Sequence, residues 1–326
     1  PTSPTARSIR GSTMAVESRA EPSASASRDQ GPWRRFWRRF ATHRLALLAL
    51  WLLLLLVIAV LVGPPLGAAL GLDASTVDLF NRMAPPGPTA PLGTDELGRD
   101  LLIRLLEGGR VSLLVGIAGA LLTAVIGTAI GLAAGYAGGR ADSFLMRFTD
   151  AVIALPLLPL LIVLAAIDVT KLGLPQTLAG DGWSSVYRIV ILVALFGWTT
   201  VARLVRAAVL SQKERDYVRA ARAMGAGPLR IALRHILPNV ASPIIVATTL
   251  SIGNIMLAES VLSFLGLGIQ PPLPSWGNML TNAQEIIWQA PALAIWPGAL
   301  LFATVIACNI LGDGLQDALD PRGERH

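Results

Sequence analysis

The sequence contains few of the residues on which enzyme and metal chemistry usually depends. Its 326 residues include one cysteine, Cys308, which excludes an intrachain disulfide, and three histidines too scattered for a His-Glu-x-x-His metal site. Neither of its two lysines, Lys171 and Lys213, lies in the Gly-x-x-x-x-Gly-Lys-Ser/Thr loop that holds nucleotide phosphates. We therefore assign no catalytic and no metal-binding residues, and we expect no cofactor and no ATP site in this chain.

Charged residues are also scarce, at 15% of the chain against about 25% in soluble globular proteins. Apolar residues make up 53% and fall in blocks close to the length of about 20 residues that crosses a bilayer. Backbone groups inside lipid must be hydrogen-bonded within their own segment, so these blocks are expected to be helices. The sequence predicts an all-α polytopic membrane protein with six transmembrane helices, at about 45–62, 111–136, 145–167, 188–210, 240–265 and 292–312.

Two of these blocks carry further local signals. The first block ends in Gly63-Pro64-Pro65, and its length and its position more than forty residues into the chain favour an uncleaved anchor over a signal peptide. In the second block Gly127, Gly131 and Gly135 recur every four residues, which predicts a smooth helix face suited to close packing against another helix.

Arginine supplies nearly all the positive charge and clusters at the ends of the apolar blocks. Arginines precede the first block and fill the loop at 206–234, so the positive-inside rule places both termini and that loop in the cytoplasm. The loop at 63–110 fits less well, because it is assigned outside and contains four arginines, but it also carries six acids. This placement at membrane ends indicates lipid contact, and we expect no binding to nucleic acid.

The chain divides into five regions. Residues 1–32 have the composition of a disordered tail, and residues 33–44, where arginines alternate with aromatics, predict an amphipathic segment on the membrane surface. Residues 45–110 hold the first transmembrane helix and an external loop. A core domain follows at 111–313, with a cytoplasmic loop at 212–239, and residues 314–326 form a C-terminal tail.

The loop at 212–239 carries the main functional signal. Asp216 is a good N-cap, Gly225 fits the left-handed position that ends a helix, and Pro228 suits the first turn of a second helix. Pro238 limits the continuation of that second helix. The pattern predicts two short helices, the first with an apolar face of Tyr217, Ala220, Ala221 and Met224 and the second with Leu229, Leu233 and Ile236.

The residues alone leave three possible roles for this helix pair. Its small-residue face can enter the groove of a partner protein, or it can pack only against its own membrane domain. A DNA-reading helix-turn-helix is disfavoured, because both ends are tethered to membrane spans.

Four ordered motifs make residues 33–323 resemble permease subunits of ABC importers for dipeptides, oligopeptides and nickel, in particular the "C" subunit. The helix pair resembles the coupling loop of that family in Ala220-Ala221, Gly225 and the Ile236-Leu237-Pro238 ending, with Arg219 where the family pattern has Glu. The segment at 91–100 (PLGTDELGRD) resembles the one that precedes the second helix. The stretches at 259–277 and 311–321 resemble the end of the fifth helix with its loop and the C-terminal signature.

The resemblance implies a type I ABC importer fold with a cytoplasmic coupling helix pair, in the bacterial inner membrane. The implied partners are a homologous second permease subunit, two cytoplasmic ATPase subunits that hold ATP and Mg, an extracytoplasmic solute-binding protein and membrane lipids. The chain itself is not an enzyme. The residues expected to couple it to the ATPase are Tyr217, Arg219, Ala220, Ala221, Arg222, Met224, Gly225, Leu229, Arg230 and Pro238.

Three residues are candidates for the substrate pathway, namely Glu259, Ser263 and Trp276. A carboxylate such as Glu259 inside a membrane segment usually faces a cavity or a partner, and a peptide's amino terminus would suit it, but a structural hydrogen bond explains it equally well. Trp276 can line an outer vestibule, contact the binding protein or anchor at the membrane interface.

The implied function is ATP-driven import of peptides by alternating access. Nickel chelates or other small solutes are an alternative cargo. A solitary ion-coupled carrier is a third possibility, although no inverted repeat with midplane acids is apparent.

Overall fold

The computed structural model describes residues 32–72, 74–167, 182–281 and 283–319. The predicted disordered tail, apart from residue 32, and the last seven residues lie outside these ranges. The described residues contain no β-strand, in agreement with the all-α prediction. The helices are α1 (Pro32–Thr42), α2 (Arg44–Ala69), α3 (Leu101–Ala137), α4 (Gly139–Ile153), α5 (Leu157–Ala165), α6 (Gly182–Lys213), α7 (Asp216–Ala223), α8 (Pro228–Arg230), α9 (Ala241–Phe264), α10 (Ala283–Ile286) and α11 (Ala292–Leu319).

Among the described residues, five helical runs are long and apolar enough to cross a membrane, namely α2, α3, α6, the run Pro228–Phe264 and α11. The predicted third span is instead two helices, α4 and α5, that meet at an angle of 77° and pass the same test only together. Pro156 lies at the break, where its ring removes an N–H donor and disfavours helical geometry in the preceding residue. Counting the bent pair as one span gives the six that the sequence predicts.

The first span extends past its predicted end, because α2 continues through Pro64 and Pro65 to Ala69. The last turns of α2 pack tightly on α3. A methyl group added at Gly63 would lie 2.5 Å from Cδ1 of Leu106, so the glycine permits this close approach. Packing of the two helices therefore outweighs the helix-breaking tendency of the prolines.

The centre of the bundle is formed by α3, α6 and α9, with α2 and α11 packed on the outside of α3 and α9. The predicted smooth stripe of α3 lies against α6. Methyl groups added at Gly127, Gly131 or Gly135 would come within 3.0 Å of Val201, Val205 or Val209. Glycine is needed at each of these positions because the two backbones approach so closely.

Ion pairs fasten the bent pair to α6. Asp142 receives a bidentate contact from Arg206, with an Nη2–Oδ2 distance of 2.6 Å, and Asp150 pairs with Arg203 at 2.5 Å. For Asp150 the sequence favours capping or a local ion pair over substrate contact, and the structure shows the ion pair. Lys213 donates to the carbonyl of Tyr136 at 2.7 Å, which joins the ends of α3 and α6. We call this the α7 end of the bundle, and the opposite end is where α3 and α11 begin.

We predict that Gly131→Ala destabilises the protein by about 1–3 kcal/mol, because the added methyl would lie 2.5 Å from the carbonyl oxygen of Ala202. The intrinsic helix propensity of alanine, about 1 kcal/mol better than glycine, works in the opposite direction. Thermal unfolding of the detergent-purified chain measures the difference. Gly298→Ala in α11 is the control, because among the described residues no atom outside its chain neighbours and its own helix backbone lies within 4 Å of the added methyl. If both variants lost the same stability, or if neither lost any, the close α3–α6 packing would be contradicted.

Candidate functional site

The segment at 214–240 forms a compact unit at the α7 end of the bundle. Only Glu214 and Arg215 separate the end of α6 from the start of α7. The N-cap is Arg215, one position earlier than the predicted Asp216, and Asp216 is the first helical residue. An acidic residue in the first turn is favourable there, because the helix dipole places partial positive charge at the N-terminus.

Gly225 ends α7 as the sequence predicts. Its φ angle is +83°, in the left-handed region that favours glycine. The N–H of Ala226 donates to the carbonyl of Ala221 at 3.1 Å, and the N–H of Gly225 donates to that of Arg222 at 3.0 Å. These two bonds form a Schellman motif, which satisfies the last carbonyls of α7 and turns the chain sharply towards Pro228.

The second part of the unit does not stop at Pro238, contrary to the prediction. Pro228–Arg230 continues into a π-helical turn at Ile231–Ile236 and a 3-10 turn at Leu237–Val240, and α9 follows without a break. Proline cannot donate to the helical ladder and crowds the carbonyl four residues earlier. The wide π turn before Pro238 and the tight 3-10 turn at Pro238 accommodate the missing donor and the crowded carbonyl. The helix therefore continues with a different hydrogen-bonding pattern where an ordinary α-helix would break.

One side of the unit is buried in the chain's own core. Val218 is completely buried and Ala221 is 2% exposed, so both point into the bundle. They pack in one apolar cluster with the second part of the unit and with the ends of α3 and α6, namely Leu132, Val201, Val205, Val209, Ile231, Ala232, Ile236 and Val240. Burial of these side chains fixes the unit to the membrane helices.

This packing corrects the predicted apolar faces. Ala221 and Ile236 lie on the inner side, because both are buried in this apolar cluster, and neither is available to a partner. Val218 was not predicted as part of any face, although its spacing of three residues from Ala221 in an otherwise basic helix is a signal for it.

The opposite side of the unit exposes large apolar side chains. Met224 is 81% exposed, Leu229 is 70% exposed and Leu233 is 49% exposed. Tyr217 is 38% exposed and its hydroxyl donates to Oε1 of Gln212 at 2.9 Å. Burial raises the pKa of Tyr217, and the positive charge of Arg215 lowers it by less, so the phenol stays protonated. We call this surface the α7 patch and define it by Tyr217, Ala220, Met224, Leu229 and Leu233.

Basic residues surround the α7 patch. Arg219 makes only loose ion pairs, at 3.6 Å to Glu214 and 3.9 Å to Asp216. Arg222 and Arg230 are exposed, and within the described part of the chain they take part in no ion pair. An apolar surface with a rim of unpaired positive charge suits a protein partner with an apolar groove bordered by acids.

The predicted substrate-path residues lie at the opposite end, where they form a buried hydrogen-bonded network. Glu259 is completely buried. Its Oε1 accepts from the hydroxyls of Ser263 at 2.6 Å and Ser275 at 2.8 Å, and Ser260 lies 3.4 Å from Oε2. The Ser263 hydroxyl also accepts from the N–H of Ile269 at 3.0 Å. The geometry supports the structural interpretation of Glu259, which joins α9 to the loop that follows it.

Trp276 is also completely buried, so it neither lines a vestibule nor anchors at the membrane interface in this structure. Its indole N–H donates to the carbonyl of Leu105 at 2.9 Å, and its backbone N–H donates to the hydroxyl of Ser112 at 3.0 Å. Gly109 allows the ring to approach α3, because a methyl there would lie 2.8 Å from the indole. Trp276 therefore fixes the loop at 266–281 to α3.

Comparison with known proteins identifies the relatives of this chain. A family model described as "binding-protein-dependent transport system inner membrane component" matches residues 127–325, and one described as "N-terminal TM domain of oligopeptide transport permease C" matches residues 31–86.

Three curated relatives align with about nine-tenths of the chain. The glutathione transport system permease protein GsiD of Pectobacterium atrosepticum is 42% identical over 294 residues, 89% of this chain and 91% of its own length. The di/tripeptide transport system permease protein DppC of Pseudomonas aeruginosa is 40% identical, and the alignment covers 89% of this chain and 92% of DppC. The oligopeptide transport system permease protein OppC of Bacillus subtilis is 34% identical, and the alignment covers 89% of this chain and 90% of OppC.

We predict that Glu259→Ala lowers the free energy of unfolding by more than about 2 kcal/mol, because it leaves the buried hydroxyls of Ser263 and Ser275 without their acceptor. Limited proteolysis should then cut the loop at 266–281 faster. Ser260→Ala is the control and should change stability little, since its contact with Glu259 is long. A Glu259→Ala variant that keeps its stability and its protected loop would contradict the structural role.

Proposed function

The chain belongs to the family of binding-protein-dependent transport system inner membrane components, and on this premise we propose that the α7 patch docks into a cytoplasmic ATPase subunit. As a member, the chain is the multi-pass permease component of an ABC importer and not an enzyme. The proposed assembly adds a homologous second permease, two ATPase subunits that hold ATP and Mg, and an extracytoplasmic solute-binding protein. This chain supplies no cofactor of its own.

The observation that carries the proposal is the exposure of Met224 and Leu229 on a rigid support. Large apolar side chains on an otherwise basic, water-facing surface are costly to leave uncovered, and they typify protein interfaces. Their support is fixed by the buried Val218 and by the Gly225 turn, so little conformational entropy is lost on docking. Arg222 and Arg230, with the more loosely paired Arg219, surround the apolar centre and supply charge complementarity to an acidic groove.

We assign the other expected coupling residues according to their positions. Tyr217, Ala220 and Gly225 are exposed and belong to the docking contact. Ala221 and Pro238 act within the chain, since Ala221 packs in the core and Pro238 sits inside the helical run that leads to α9.

The connections of the unit explain how docking can move membrane helices. A two-residue link joins it to α6, and an uninterrupted helical run joins it to α9. ATP-driven closure of the two ATPase subunits would shift the docked unit, and α6 and α9 would tilt with it. This rigid-body motion would switch the pathway between inward and outward access.

The proposal fixes the orientation of the chain. The α7 end faces the cytoplasm, and the end with Glu259 and Trp276 faces outward, where the binding protein delivers cargo. Arginines at the start of α2 and around α7 agree with this orientation under the positive-inside rule. Both termini are then cytoplasmic, in the bacterial inner membrane.

We propose peptides as the cargo. The names of the relatives refer to oligopeptides, di- and tripeptides and glutathione, which is itself a peptide. These molecules share a peptide backbone and free charged termini, and that shared chemistry is the cargo class we assign.

Replacing the apolar centre of the α7 patch should uncouple the transporter. We expect Met224→Asp and Leu229→Asp each to lower copurification of the ATPase subunits and ATP-driven uptake about ten-fold or more, because a charge replaces an apolar anchor. Both side chains are exposed, so membrane insertion and thermal stability should not change. Gln316→Asp, at an exposed position of the same end on α11, is the control. Full uptake by both patch variants would contradict the docking role.

The cargo is tested in proteoliposomes that contain the full assembly and the binding protein. We expect labelled dipeptide uptake to require ATP, and an excess of unlabelled peptide, but not a nickel–histidine chelate, to compete. Competition by the chelate alone would contradict a peptide importer. Dipeptide uptake by this chain alone, without ATPase subunits, would instead indicate an ion-coupled carrier.

A further inference from the structure

A cavity of about 420 Å³ opens at the end of the bundle opposite the α7 patch. It lies between the segment at 95–104, which leads into α3, and the loop at 266–281, which Glu259 and Trp276 hold in place. The start of α11 closes one side with Leu293. This volume falls within the range of about 300–1,000 Å³ that is usual for small-molecule sites.

Asp95 arranges the positive charges of this cavity. It is 7% exposed, and its Oδ1 accepts from the N–H groups of Leu97 at 2.8 Å and Arg99 at 3.0 Å. Its Oδ2 contacts Nε of Arg99 at 2.8 Å and Nε of Arg104 at 3.0 Å. One saturated carboxylate therefore holds two guanidinium groups, so these three side chains carry one surplus positive charge, and the carboxylate of Glu107 on α3 adds an attractive charge near Arg104.

Arg104 brings positive charge to the wall of the cavity. It is only 9% exposed and lines the cavity. In the described part of the chain its ion-pair partner is Asp95, reached through Nε, and no acceptor for its two Nη groups is found there. The two Nη groups are not among the buried side-chain atoms that lack a partner in the described residues, so they keep access to solvent, and a pair of Nη groups suits a carboxylate.

A negative charge borders the same cavity. Glu96 lines it, is half-buried and takes part in no ion pair among the described residues. The rest of the lining includes apolar side chains such as Leu101, Ile269 and Met279. The cavity thus combines an apolar wall with one surplus cation and one unpaired anion.

We propose that this cavity binds a small zwitterion with a free carboxylate and a free ammonium group, such as a short peptide. The carboxylate bonds to the Nη groups of Arg104, with Arg99 beside it, and the ammonium group lies near Glu96. The ligand class is that of the cargo proposed above, and in this respect the inference rests on the proposed function. The location of the site rests on the charges of the cavity, which is separate from the α7 patch.

The test uses the complete assembly of both permeases and the ATPase subunits in nanodiscs, without binding protein or nucleotide. Calorimetry compares dialanine with its N-acetyl derivative and with its C-terminal amide. We expect saturable binding of dialanine, and a loss of about ten-fold or more in affinity when either terminus is capped.

Variants then assign the binding to this cavity. Glu96→Gln, which breaks no ion pair within the described residues, should weaken dialanine about ten-fold but leave the affinity of N-acetyl-dialanine unchanged. Arg104→Gln should weaken dialanine but not the amide. Arg110→Gln is the control, because this exposed arginine on the same helix does not line the cavity, and it should bind dialanine normally.

Three results would overturn the inference: no saturable dialanine binding, equal affinity for capped and free peptides, or unchanged dialanine affinity in Glu96→Gln. ATP-driven uptake, measured in parallel with the binding protein, separates the two proposals. Normal uptake with no binding to this cavity overturns the zwitterion site alone, whereas lost uptake with normal dialanine binding overturns only the importer proposal.

Discussion

The structure at the α7 end depends on the burial of a few small and branched apolar side chains between the unit at 214–240 and the membrane helices. Val218 and Ala221 on one side, and Ile231 and Ile236 on the other, pack on the ends of α3 and α6. This packing decides which residues face outward. With the inner side committed to the chain's own core, Met224 and Leu229 have no place in it and form an exposed apolar surface.

The same packing couples the unit rigidly to the membrane helices. Its helical run passes Pro238 by changing from π to 3-10 geometry, so no flexible joint separates it from α9. The glycine stripe of α3 holds α6 at close range, and the arginines of α6 hold α4 through Asp142 and Asp150. A displacement applied at the α7 patch would thus reach α6 and α9 directly and reach α3 and α4 through their contacts with α6.

Much of this organisation follows from the sequence, because it rests on local rules. Apolar block length predicts the spans, and the requirement for a left-handed residue predicts the Gly225 turn, whose φ angle is +83°. The four-residue glycine spacing predicts a close helix contact. The sequence does not reveal which helix makes that contact, because the partner, α6, lies far along the chain.

The failed expectations concern packing between distant segments. A helical face that combines Ala221 with Met224 is plausible from α7 alone, but Ala221 is buried in a cluster with residues distant in the sequence. Pro156 and Pro238 are equal helix breakers by sequence, yet the chain bends at the first and continues at the second. For Glu259 the sequence leaves a substrate role and a structural hydrogen bond equally open, and its contact with Ser275 supports the second. The buried position of Trp276 could not be predicted, because it depends on contacts with Ser112 and Leu105, which are distant in the sequence.

The central claim is that the α7 patch is the contact surface for an ATPase subunit. Photo-cross-linking tests it most directly, with a benzoyl-phenylalanine placed at position 224 of the chain in the complete assembly. The account predicts a covalent adduct between this chain and the ATPase subunit from position 224, and none from position 316 at the same end. An adduct from position 224 only to the second permease, or no adduct at all, would contradict it.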